Sequence, residues 1–165
     1  MKGINKNKSI IHIGANKTGT TSFQMNLFSV FNNISYIGQH CKENDHIKDE
    51  LINLINQDDY YFNDQLLKKK IIEMKRKKSG IFLYSDEDII SSNNLSRTAK
   101  RLKKLLPDAK IVLTLRNQYS CFESWYKSHG IRLKMVPKDF YGKYVKYNQW
   151  IDYCYKFRDY HTTPR

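Results

Sequence analysis

The chain has 165 residues, enough for one domain with a substantial core and too few for several. Hydrophobic residues make up 40%, which removes disorder as the default. Lysine and arginine number 29 against 16 acidic residues, a formal charge of +13 that favours nucleotides, sulfated or phosphorylated substrates, nucleic acid or a membrane surface as partners. Cys41, Cys121 and Cys154 lie far apart with no Cys-x-x-Cys or Cys/His ligand spacing. Neither a disulfide framework nor a zinc site is expected, and reduced thiols in a cytoplasmic protein are the simplest account. No apolar run approaches a membrane span, and the polar leader 1–8 has no signal-peptide core behind it, so a membrane-anchored enzyme is not expected.

In chain order, residues 9–14 read as a short strand. Ile10, Ile11 and Ile13 are β-branched and suit a central strand covered on both faces. Gly14 and Gly19 bracket a tight loop where backbone must bend and approach a ligand closely. Lys17 sits inside that loop as a point charge. Thr20, Thr21 and Ser22 add hydroxyls and N–H groups at a helix start, where the dipole favours an anion. The helix is expected over 20–31 with Phe23, Leu27 and Val30 or Phe31 inward, broken by Asn32-Asn33. A short strand over 35–37 ends at Gly38. Helical spacing of Ile47, Leu51, Leu54 and Ile55 marks 44–57, and Leu66, Leu67, Ile71 and Met74 mark 63–78. The lysine-rich run from Lys68 to Lys78 reads as a solvated helix face, with a nucleic-acid patch as the alternative.

Gly80 opens a second buried strand, Ile81-Phe82-Leu83-Tyr84, which runs into Ser85-Asp86-Glu87-Asp88. These acidic residues are either site residues or caps of the next helical turn. A helix over 94–106 begins at an Asn93 or Asn94 cap and stops before Pro107. Lys110 to Leu115 is the strand most convincing by composition. Asn117 to Gly130 is a helix closed by its glycine. After Pro137 an aromatic helix is expected over 139–158, with Phe140, Tyr144, Tyr147, Trp150 and Ile151. Strands alternating with helices imply a single three-layer α/β domain around a central parallel sheet. Ligands in such sheets bind at the carboxyl ends of strands, where all the candidate sites fall.

The loop lacks the Gly-Lys-Ser/Thr of nucleoside triphosphatases, because its lysine stands two residues before Gly19. The form Gly-x-x-Lys-Thr-Gly-Thr-Thr-Ser over residues 14–22 resembles the 5′-phosphosulfate loop of sulfotransferases that use the donor PAPS (phosphoadenosine phosphosulfate). The stretch Leu115-Arg116-Asn117 through Ser124-x-Tyr126 is similar to the 3′-phosphate motif of the same family, with Gln118 where the family often has proline. The resemblance spans roughly residues 9–130 and implies a P-loop-type sulfotransferase fold.

It further implies that Lys17, Thr18, Gly19, Thr20, Thr21 and Ser22 hold the 5′-phosphosulfate and that Arg116 and Ser124 hold the 3′-phosphate. Lys17 would also act catalytically on the leaving oxygen. Ser85-Asp86-Glu87 resembles the Ser-x-Glu of bacterial-type carbohydrate sulfotransferases, which makes Glu87 the expected base and Asp86 second choice. The acceptor would be a hydroxyl or amine, on a carbohydrate by that likeness, and the net charge hints at an anionic glycan. No metal is required. His12 reads as a packed histidine, and His40, His46, His129 and His161 receive no role. The family's later Arg/Lys-Gly segment over the adenosine end is not found before Arg165, so the fold is expected to be incomplete there. A P-loop kinase, with Asp86 holding magnesium, and a non-enzymatic nucleic-acid module are the competing readings.

Overall fold

The computed structural model describes residues 8–41, 45–77, 80–130 and 143–157. Residues 1–7 of the leader, Lys78, Phe140 and His161 fall outside that set, as do the side chains of His46 and His129. The chain divides into two compact units, Met1–Leu115 and Arg116–Arg165.

Among the described residues, the first unit holds four strands: β1 (Ser9–Gly14), β2 (Ile34–Gly38), β3 (Ile81–Ser85) and β4 (Lys110–Thr114). Their order is β2-β3-β1-β4 and every neighbouring pair is parallel. This is the α/β parallel sheet that the alternation of strand and helix patterns implied. The register sets His12 beside Ser85 on one side and Val112 on the other, and Gly14 beside Thr114.

Three helices, α2 (Asp45–Asn56), α3 (Asp64–Lys77) and α4 (Leu95–Leu105), bury their apolar stripes with one sheet face. Ile47, Leu51, Leu54, Ile55, Leu67, Ile71 and Met74 pack there with Ile11, Ile37, Phe82 and Tyr84. Leu66, expected inside, is exposed, because it falls off the stripe that Leu67, Ile71 and Met74 form at helical spacing. Asn94 caps α4 by accepting from the Arg97 N–H at 2.9 Å. Arg101 on α4 is buried, donates to Leu54 O at 2.9 Å and to Asp59 at 2.6 Å, and lies 4.1 Å over the Phe62 ring. One guanidinium thereby ties α4 to the end of α2.

On the other face, the short helix α1 (Thr20–Phe23) widens into a π turn over Gln24–Phe28. The inward residues expected there, Phe23, Leu27, Val30 and Phe31, are exposed, and Thr20 and Gln24 are buried instead. A π turn takes more residues per turn than an α turn, so a pattern read at 3.6 residues loses phase across it. Phe23 and Phe28 still border the His12 ring, at 6.1 and 5.2 Å between centroids. Strand β4 lies at the sheet edge, and Ile111 on it is 62% exposed.

The second unit carries α5 (Gln118–Trp125), which passes into a π turn over Tyr126–Gly130, and α6 (Tyr147–Phe157). Asn117 caps α5 by accepting from the Tyr119 N–H at 3.0 Å. Tyr126, Val145 and Trp150 form its core with Phe122, Trp125, Tyr147 and Ile151 around them. The Tyr126 hydroxyl donates to Val145 O at 2.6 Å. Tyr144 precedes α6 and is exposed.

Candidate active site

The loop after β1 is shaped by two glycines and a cluster of threonine hydroxyls. A Cβ on Gly14 would meet Thr20 Oγ1 at 2.7 Å and Thr114 Oγ1 at 2.8 Å, so only glycine lets the strand end pass this close to the loop. Gly19 adopts φ 86° as the cap of α1, and Lys17 takes φ 68°, a left-handed conformation uncommon for a residue with a side chain. Such conformations persist where the surrounding structure holds them. Here Thr18 does so: its hydroxyl donates to Ala15 O at 2.6 Å and its N–H to the same carbonyl at 3.2 Å. Thr18 Oγ1 also lies 3.3 Å from Thr20 Oγ1 and 3.2 Å from Thr114 Oγ1. Thr21 and Ser22 are exposed at the start of α1.

Beneath the loop, His12 is 2% exposed. Its Nδ1 lies 2.8 Å from Ser85 Oγ and its Nε2 3.3 Å from Thr114 Oγ1. Gln24 Nε2 donates to Ser85 Oγ at 3.1 Å and to Ser85 O at 3.4 Å. Burial lowers the His12 pKa below its usual value, so the ring is neutral near neutral pH. Sequence reasoning named His12 only as packed, took Ser85 only as the serine of the Ser-x-Glu pattern, and gave no part to Gln24 or Thr114. Their polar character inside an apolar strand–helix junction was the available signal.

At the end of β3 the three acidic residues take different parts. Asp86 is buried and caps the 3₁₀ turn Glu87–Ile89: its Oδ1 accepts from the Asp88 N–H at 2.9 Å and its Oδ2 from the Tyr84 hydroxyl at 3.2 Å. Desolvation raises its pKa to about 6. Glu87 is half-buried. Burial raises its pKa, and the Asp88 charge adds to the rise, against the opposing pull of Lys17, His40 and the Thr20 hydroxyl. Glu87 follows the end of β3, next to the end of β1 from which the loop with Lys17 and Thr20 departs. Beside them, a cavity of about 280 Å³ opens at the ends of β2 and β3, with Gln39, His40, Asp86 and Asp88 on its wall and Ile37 and Leu51 beneath. Gln39 Nε2 donates to both Asp86 and Asp88 at 3.4 Å.

In the second unit, Arg116 is exposed and its Nε donates to Ser120 Oγ at 3.1 Å. Ser124 is half-buried one turn further along, and its carbonyl accepts from Ser128 Oγ at 3.0 Å. Both motif residues, Arg116 and Ser124, lie in this unit, and Ser120 accepts from the Arg116 guanidinium. Ser120 escaped the sequence reading, although it stands four residues after Arg116 and hence on the same helical side. Among the described residues no group of three or more His, Cys, Asp and Glu side chains is placed to hold a metal ion. No helix among them is long and apolar enough to cross a membrane.

A family model described as a sulfotransferase domain matches residues 9–163. No curated protein matches the chain, and no solved structure does.

Proposed function

The chain belongs to the sulfotransferase-domain family, an enzyme family of sulfuryl transfer, and from that premise we propose that it moves a sulfuryl group from PAPS to a carbohydrate hydroxyl. The cradle of Lys17 and Thr18 to Ser22 takes the 5′-phosphosulfate, and Arg116 and Ser124 take the 3′-phosphate. Glu87 removes the acceptor proton as the acceptor oxygen bonds to sulfur. The bond from sulfur to the bridging oxygen breaks, and adenosine 3′,5′-bisphosphate leaves with that oxygen's charge against Lys17. Such transfer needs little covalent help and depends on positioning and charge stabilisation. The leaving group is a phosphate monoester stable in water as a dianion, so the reaction requires no metal. The net charge of +13 favours an anionic glycan as the molecule that carries the hydroxyl.

The observation that carries this reading is the loop after β1, where the Thr18, Thr20 and Thr114 hydroxyls gather around a left-handed turn at Lys17 and Gly19, with the half-buried Glu87 after the neighbouring strand. A carboxylate whose pKa is raised by burial is a better proton acceptor, and a base must stand within reach of the transferred group. Calorimetric titration with adenosine 3′,5′-bisphosphate, beside ATP with Mg²⁺, tests it. Micromolar binding of the bisphosphate, weakened in Arg116→Ala and unmatched by ATP, is the expected result. Preference for Mg-ATP would replace this reading with a kinase.

A further inference from the structure

We propose that His12 is a positioning residue: its neutral ring, seated under the loop, fixes the loop hydroxyls in the shape that receives an anion. The inference takes from the functional reading only that residues 14–22 are the cradle. It begins from a count of protons. Gln24 donates to Ser85 Oγ, which leaves the Ser85 hydroxyl proton for the one neighbour 2.8 Å away, His12 Nδ1. With Nδ1 accepting, the ring proton of a neutral histidine stands on Nε2 and points to Thr114 Oγ1 at 3.3 Å. Thr114 then donates to Thr18 Oγ1 at 3.2 Å, and Thr18 donates to Ala15 O at 2.6 Å. A single direction, Gln24 to Ser85 to His12 to Thr114 to Thr18 to Ala15, satisfies every member. Thr18 Oγ1 is left as an acceptor for the Thr20 hydroxyl at 3.3 Å.

The chain of bonds begins at Gln24 in the π turn after α1, passes through β3, β1 and β4, and ends inside the loop. Its members are brought together from sequence separations of 61, 73, 102 and 96 residues. Phe23 and Phe28 meet the ring edge-on and leave it few other orientations. A proton added at Nδ1 would face the Ser85 hydroxyl, which is fully buried and would have to turn its own proton away from its partner. The titratable groups on the elements packed around the ring are Lys17 in the loop, Tyr36 on β2, Tyr84 on β3, Lys110 on β4, and Asp86 and Glu87 after β3. The lowered His12 pKa comes from burial. Protonation of His12 on the acid side of 6.5 therefore loosens the loop, and neutral pH holds it.

Two measurements on the full chain test this. Amide hydrogen exchange of residues 15–20 in the ligand-free protein, corrected for intrinsic rates, is followed across pH beside the His12 ring-nitrogen shifts. Bisphosphate affinity is measured by calorimetry on wild type, His12→Phe, His12→Gln and Thr114→Val. Loop protection should fall along the His12 titration curve in wild type and show no such step in His12→Gln, whose amide can still donate to Thr114. His12→Phe and Thr114→Val should each bind the bisphosphate about tenfold more weakly, the size of one lost hydrogen bond, with His12→Gln within about threefold of wild type. Thr114→Val cuts the same link with His12 in place, so misfolding of His12→Phe would not spare the idea. Unchanged loop protection in Thr114→Val, or protection in wild type that ignores the His12 titration, overturns it. If the exchange results come out as expected while wild type binds no bisphosphate, His12 keeps its hold on the loop and the donor reading falls alone.

Discussion

The two candidate anion anchors stand in opposite surroundings within their own units. Around the loop after β1, hydroxyls, a buried imidazole and a buried amide are bonded to one another, and the backbone holds left-handed turns at Lys17 and Gly19. Arg116 is exposed just before α5 and is held by Ser120, a side chain of that helix's first turn. The first arrangement is preorganised: the folded sheet has already ordered the groups that would meet a ligand, so little entropy is lost on binding. The second supplies a charge at a surface, where ordering is left to the ligand. Substitutions at the two anchors should accordingly separate into those that disturb chemistry or fold and those that disturb affinity alone.

The largest effect should come from Glu87→Gln, with kcat lower by about 10²–10⁴-fold as for loss of a general base. Bisphosphate affinity should remain within a few-fold. In wild type, kcat should fall as pH drops through a Glu87 pKa that lies above 4.5, because the base must be ionised, and the variant should lack that limb. An unaltered rate would remove Glu87 from the chemistry. Lys17→Ala follows, with kcat reduced about 10²–10³-fold by loss of one charge-stabilising group. Its melting temperature should stay close to wild type, since alanine meets the same backbone demand as lysine at φ 68°. A rate loss matched by a large drop in melting temperature would mean that the loop, rather than the charge, had been lost.

Arg116→Ala sharpens the contrast from the other side. The bisphosphate dissociation constant should rise about 10–100-fold, as for one lost charge-assisted contact, with no change in melting temperature. Ser124→Ala and Ser120→Ala, compared in the same titration, separate the motif's partner from the one that Arg116 bonds here. Equal affinity in all three variants would take this anchor out of the site.

The smallest effect concerns stability. Asp86 is buried with a pKa raised to about 6, against 3.8 unfolded. The folded state thus binds its proton more tightly. The stability this contributes is present in full below about 3.8 and is lost as pH rises through about 6. Asp86→Asn keeps an oxygen to cap the Asp88 N–H and removes the buried charge. It should melt higher than wild type at pH 8, by up to roughly 3 kcal/mol in linkage terms, and near wild type at pH 4. Thermal scans at the two pH values check it, and a lower melting point at pH 8 would show that the ionised carboxylate holds this turn together.

How much of this could be read from the chain alone follows from the range of each interaction. The strand–loop–helix of residues 9–22, the inner faces of α2 and most of α3, and the caps at Asn94 and Asn117 depend on near neighbours: β-branched runs, glycine, helical spacing and short side chains before a helix. The order β2-β3-β1-β4, the edge position of β4 and the burial of Gln24 depend on which strands pair and where a π turn shifts the helix face. The partners of His12 lie 73 and 102 residues away, on strands that become its neighbours only through that order. Thr114 looks like an ordinary strand end in the sequence, and Ser85 stands out only as the serine before Asp86-Glu87. The local pattern determined a strand, a glycine-bounded loop and a helix start, with the hydroxyls they carry. Only the tertiary fold decided what holds that loop in shape, because a hydrogen bond between strands is set by register and order, which no local pattern encodes.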